Sequence, residues 1–184
     1  MLPELGQFAL ILALLLALVQ CILPLVGAQR GDRALMAVAR PVAAGQAVFI
    51  ALAFAILTYA FVTQDFSVAY VAENSNLQLP WYYRVSAVWG AHEGSLLLWL
   101  LILNVWTVAV ATFGRHLPSA FMARVLGALG FVAAGFLLFT LLTSSPFLRH
   151  LPALADGNDL NPLLQDPGLI VHPPMLYMGY VGFS

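Results

Sequence analysis

LGQFALILALLLALVQCILPLV, residues 5–26, contains no Asp, Glu, Lys or Arg from end to end. At ~1.5 Å rise per residue it makes a helix of about 33 Å, enough to cross the ~30 Å hydrocarbon core of a bilayer. In lipid a lone segment of this kind has only the helix as a way to satisfy its own backbone. Three more apolar stretches follow, at about 42–62, 95–113 and 124–143, the last charge-free beyond Arg124. From 174 onward the chain turns apolar and glycine-bearing again (Met175, Leu176, Tyr177, Met178, Gly179, Tyr180, Val181, Gly182, Phe183). The sequence therefore predicts an all-α polytopic membrane protein: four transmembrane helices plus the start of a fifth at 174. A chain that stops so soon after a span begins reads as the first portion of a longer protein.

Composition agrees. The chain is 62% hydrophobic and 8% charged, against roughly one quarter charged in soluble domains. Its one cysteine, Cys21, lies inside the first span, so the chain has no disulfide, zinc cluster or C-x-x-C pattern, and any thiol chemistry must come from a partner. It has no lysine, hence no phosphate-cradling loop ending in Lys-Ser/Thr, and no basic stripe for nucleic acid. Met1 to Glu4 lacks a positive leader and residues 23–28 make a poor cleavage site, so the first span is expected to stay in the mature protein.

Arginine placement gives an orientation. Arg30, Arg33 and Arg40 lie in the first connection, Arg115 and Arg124 in the third; the second and fourth carry Arg84 and Arg149 against Asp65, Glu73, Asp156, Asp159 and Asp166. By the positive-inside rule the N-terminus and the loops 63–94 and 144–173 face outward, away from the cytoplasm. Both loops far exceed the ~12–15 residues of ordinary structureless connections, which marks the external face as the working face.

Within the first loop Trp81, Tyr82, Val85, Val88 and Trp89 recur at helical spacing, predicting an interfacial amphipathic helix. Such a stripe reads equally as an aromatic anchor. Next comes WGAHEGS, residues 89–95, where His92 and Glu93 either cap the third span or ligate a metal, with capping favoured, and where the two glycines let segments approach closely. His116, beside Arg115, reads as a membrane-surface charge, and His150 falls in no motif.

The last stretch, DLNPLLQDPGLIVHPPMLYMGYVGFS at 159–184, places His172 before two prolines. Asn161-Pro162, Asp166-Pro167 and Pro167-Gly168 are turn signals. Pro173 disfavours helix at His172, and Pro174 suits a first helical turn, so His172 is expected at the mouth of the fifth helix. On the residues alone it reads either as a loop histidine or as a ligand, because one imidazole is not a site by itself.

These two blocks, WYYRVSAVWGAHEGSLLLW at 81–99 and the stretch around His172, carry a resemblance along essentially the whole chain. It resembles the N-terminal portion of the CcmF family, haem-lyase subunits of the bacterial cytochrome c maturation system. The resemblance implies that His172 is an axial ligand of haem iron, the chain's one metal contact, and that Trp81 and Trp89 form a shelf for haem or a partner. It implies haem b received from the periplasmic carrier CcmE and positioned for covalent attachment to apocytochrome c, which a CcmH-type subunit presents. A second external histidine and an internal b-type haem would belong to the full-length protein. A membrane assembly scaffold without haem contact, or a b-type electron-transfer subunit, are the alternatives.

Overall fold

The computed structural model describes residues 1–183, and its regular elements are helices. Four are long and apolar enough to cross a membrane: α1 (Leu2–Arg30), α3 (Ala39–Val62), α6 (His92–Phe113) and α7 (Ser119–Thr143). Shorter helices join them: α2 (Arg33–Ala37), α4 (Ala69–Asn74), α5 (Trp81–Ala87) and α8 (Pro167–Val181). Each anticipated span lies within one of the four long helices. The helices run a few residues further because their ends accept charged residues, such as Glu4, Arg30 and Arg40, where lipid gives way to water.

The turn from α1 into α2 shows how local chemistry sets an end. Gly31 takes the left-handed conformation (φ 71°) and returns its N–H to Gly27, which glycine does without steric cost. Asp32 then caps α2, its carboxylate accepting from the N–H groups of Ala34 at 2.8 Å and Leu35 at 3.3 Å.

Small residues hold the bundle together. Gly6, Ala9, Ala13 and Ala17 form a buried stripe on α1, and Ala39, Ala43, Ala53 and Ala60 lie buried on α3. Lipid offers no hydrophobic gain to helix pairing, so close backbone approach and dispersion must supply it. On α7, a side chain at Gly130 would meet the Gln20 side chain at 2.9 Å and the Cys21 backbone nitrogen at 3.0 Å. Gln20 is itself fully buried and donates from Nε2 to the Leu126 carbonyl at 2.8 Å, which ties α1 to α7.

The molecule has two unlike ends. One carries the short connections with Arg30, Arg33, Arg40, Arg115 and Arg124. At the other, the two long connections fold on each other. Ala69 donates its N–H to Leu148 at 2.8 Å and His150 to Ser67 at 2.9 Å, forming one antiparallel bridge. Asn158 N–H reaches the Ala72 carbonyl at 2.7 Å, Leu77 N–H the Asp156 carboxylate at 2.9 Å, and Asn76 bonds Asp159. Arg149 meets Glu4 of α1 at 3.3 Å, while Phe147 fills the space over Gly6. The long loops are thus an ordered cap seated on the bundle.

Candidate functional site at the loop-bearing end

The cap is organised around Tyr70 of α4. Its buried hydroxyl donates to the Val88 carbonyl at 3.0 Å and accepts the Ala91 N–H at 3.2 Å. Burial pushes this phenol well above its ordinary value, so it stays a neutral donor. Gly94 is the counterpart: a side chain there would lie 2.6 Å from the Tyr70 oxygen and would collide with the Val88 carbonyl. The close approach expected of Gly90 and Gly94 is therefore present, Gly90 making room for Leu164 and the fully buried Leu160.

The clamp divides the aromatic stripe. Helix α5 ends at Ala87, and the chain then turns inward under Tyr70. Trp81 and Tyr82 point outward, 69% and 52% exposed, whereas Val88 is fully buried and Trp89 half-buried. The five residues do not share one face, a correction to their helical spacing. Trp89 is not an open shelf: its indole N–H donates to the Ile170 carbonyl of α8 at 3.0 Å. Tyr83 does the same for the preceding turn, donating to the Gln165 carbonyl at 2.9 Å.

Helix α8 starts at Pro167, seven residues before the anticipated 174, so His172 stands in its second turn and not at its mouth. Asp166 is the cause. Its carboxylate accepts from Gly168 N–H at 2.8 Å and Leu169 N–H at 3.3 Å, and Pro167 fits the first position. This cap outweighs the bias against helix before proline. Pro173 and Pro174 have no N–H to return to Leu169 and Ile170, and the Trp89 indole supplies the donor that the Ile170 carbonyl would otherwise lack.

His172 is exposed, and among the described residues nothing hydrogen-bonds its ring. Leu169 precedes it by one turn, Met175 and Leu176 follow by one turn, and Gly179 by two, where open space lies in place of a side chain. An open apolar groove of about 420 Å³ continues along Met175, Leu176, Gly179, Tyr180 and Phe183. The other face of α8 packs on α6, with Tyr177 6.0 Å from Trp99 and Val181 buried. One free imidazole heads an apolar strip on a helix held from behind.

The remaining histidines have structural or peripheral places. His92 opens α6, its Nδ1 lies 3.1 Å from Ser144 Oγ, and its ring meets Phe139 edge-on at 5.9 Å. It fastens the start of α6 to the end of α7. Glu93 occupies the first turn of α6 as expected, but Ser95 donates to the Trp89 carbonyl at 2.8 Å and takes no backbone donor. His150 contributes backbone to the loop bridge, and His116 lies at the arginine-bearing end. Sequence reasoning missed Tyr70, Tyr83 and Asp166 as positioning groups. The Asp-Pro pair was the one available signal, since an acidic cap before a first-turn proline is a helix start.

The profile of the Cytochrome C assembly protein family matches residues 89–184. The chain is 69% identical to the cytochrome c-type biogenesis protein CcmF of Pseudomonas aeruginosa, over all of this chain and 28% of that protein. It is 57% identical to CcmF of Escherichia coli K12, over all of this chain and 29% of that one. A solved structure titled Cytochrome c Heme Lyase CcmF superposes with a TM-score of 0.86 at 28% identity, covering 99% of this chain and 28% of its own. The chain spans under a third of the length of the relatives it matches.

Proposed function

The chain belongs to the cytochrome C assembly protein family, and on that premise we propose that it forms the haem-receiving face of a c-type cytochrome biogenesis protein, with His172 supplying one axial imidazole. The observation that carries this is the exposed His172 ring at the head of the Leu169–Gly179 apolar strip. A porphyrin is flat and apolar with one coordinating centre, and this surface offers one unengaged imidazole, apolar side chains beside it and a glycine that leaves space. Haem, as cargo, brings the iron and the vinyl groups that take up the apocytochrome thiols; the chain's residues bind and orient it.

The parts divide as follows. His172 ligates. Trp89 positions, since its bond to Ile170 fixes the turn from which His172 projects. The exposed Trp81 and Tyr82 lie at the membrane interface and provide an apolar rest for haem or for a partner. The loop-bearing end faces the periplasm and the five arginines face the cytoplasm across the inner membrane. The carrier CcmE delivers haem b to this end, and a CcmH-type subunit brings apocytochrome c. A second external ligand and the residues of an internal b-type haem belong to the longer protein.

The test uses full-length protein at matched expression. His172→Ala should lower mature cytochrome c output at least tenfold while leaving membrane insertion intact, and added imidazole should restore part of the output by filling the vacated position. Unchanged output would make His172 a surface histidine and favour a scaffold role.

A further inference from the structure

We infer that the arginine-bearing end contains a headgroup site for an anionic phospholipid, built from Arg33, Arg40 and Arg115. The three residues come from α2, the start of α3 and the turn after α6, and they converge on one concavity of about 280 Å³. Its floor is apolar and buried: Met36, Met122 and Leu126 are 8%, 3% and 0% exposed. Ser119 at the start of α7 lines the same concavity, and α7 has no side-chain cap. Its first amides are therefore free to face an anion, and its dipole favours one.

Charge at this site is unbalanced. Asp32 is the one carboxylate in the two connections, and it is turned onto the amides of α2. Among the described residues, no carboxylate lies within ion-pair reach of Arg33, Arg40 or Arg115. Guanidinium groups match phosphate oxygens in pairs. They sit here at the ends of membrane spans, at headgroup depth, beside an apolar floor suited to the glycerol end of a lipid. Basic pockets between spans are the known setting for anionic headgroups. A soluble phosphate would satisfy the arginines but not the floor, so the occupant is the lipid. The site lies at the end opposite His172, and its test is independent of the haem reading.

The experiment compares two charge-matched variants of purified full-length protein by native mass spectrometry: Arg40→Gln/Arg115→Gln inside the pocket and Arg30→Gln/Arg124→Gln outside it. Each is titrated with phosphatidylglycerol and with phosphatidylcholine, and a further arm adds inorganic phosphate. Wild type should retain phosphatidylglycerol preferentially, the pocket variant should lose on the order of tenfold in retention, and the outer variant should change by about twofold or less. Ser119→Trp, which fills the concavity without altering charge, should also release the lipid and serves if the arginine variant fails to fold. Equal losses in both double variants would reduce the pocket to diffuse surface charge. Full displacement by inorganic phosphate would make it a free-anion site, and unchanged retention in Ser119→Trp would overturn it.

Discussion

Tyr70 sets where the third span enters the bundle, because its one hydroxyl both gives a hydrogen bond to Val88 and receives one from Ala91. Tyr70→Phe keeps the ring and its edge contact with Phe61 at 5.2 Å but leaves the buried Val88 carbonyl and the half-buried Ala91 N–H without their partner. It should cost about 1–3 kcal/mol, read as a lower melting temperature in detergent. The sign of the pH effect follows from burial. The folded protein holds the phenolic proton more tightly than the unfolded chain, so this contribution is complete below pH 10.0, the group's ordinary value, and declines as pH rises above it. The phenylalanine variant should lack that part of the alkaline loss. At this scale little was legible beforehand. Prolines and motif made His172 the candidate ligand, and Gly94 stood out by its place beside a helix start. A lone tyrosine in a long loop carries no pattern, since its partners are backbone groups seventeen and more positions away.

Among the elements, the four long helices were readable because charge-free runs of bilayer length leave the backbone no other choice. Helix α8 was readable in existence but not in its start. The Pro173-Pro174 pair argued for a boundary at 174, while the true boundary rests on the Asp166 cap and on a donor from another loop. The first belongs to sequence and was open to a better reading. The second is tertiary and was not. Trp89→Phe tests it, since the indole N–H and its bond to Ile170 are lost while an aromatic ring, though a smaller one, stays in place. This variant should weaken the first turns of α8 by about 1 kcal/mol, or roughly fivefold in local opening. Amide hydrogen exchange across Gly168 to Val171 should quicken accordingly, and haem capture should fall without loss of the helix. Unaltered exchange would leave Trp89 as packing alone.

Across the whole molecule, charge and loop length divide between the ends. The arginine end is compact and basic; the other carries a cap of interlocked loops, beside which the exposed imidazole of His172 stands on α8. The proposed orientation, with the arginine end inward, rests on the positive-inside rule, and cysteine reporters test it. Probes at Asp65 and Asn158 should react with an impermeant reagent from the periplasm, and one at Arg33 should be protected. The inverse pattern would place His172 on the wrong side for an external carrier. The most direct measurement of the central claim exchanges the ligand itself. Full-length protein carrying His172→Cys, loaded from the haem carrier, should change its absorption and electron paramagnetic resonance spectra from those of an imidazole-ligated iron to those of a thiolate-ligated one. Spectra identical to wild type would mean that His172 does not touch the iron.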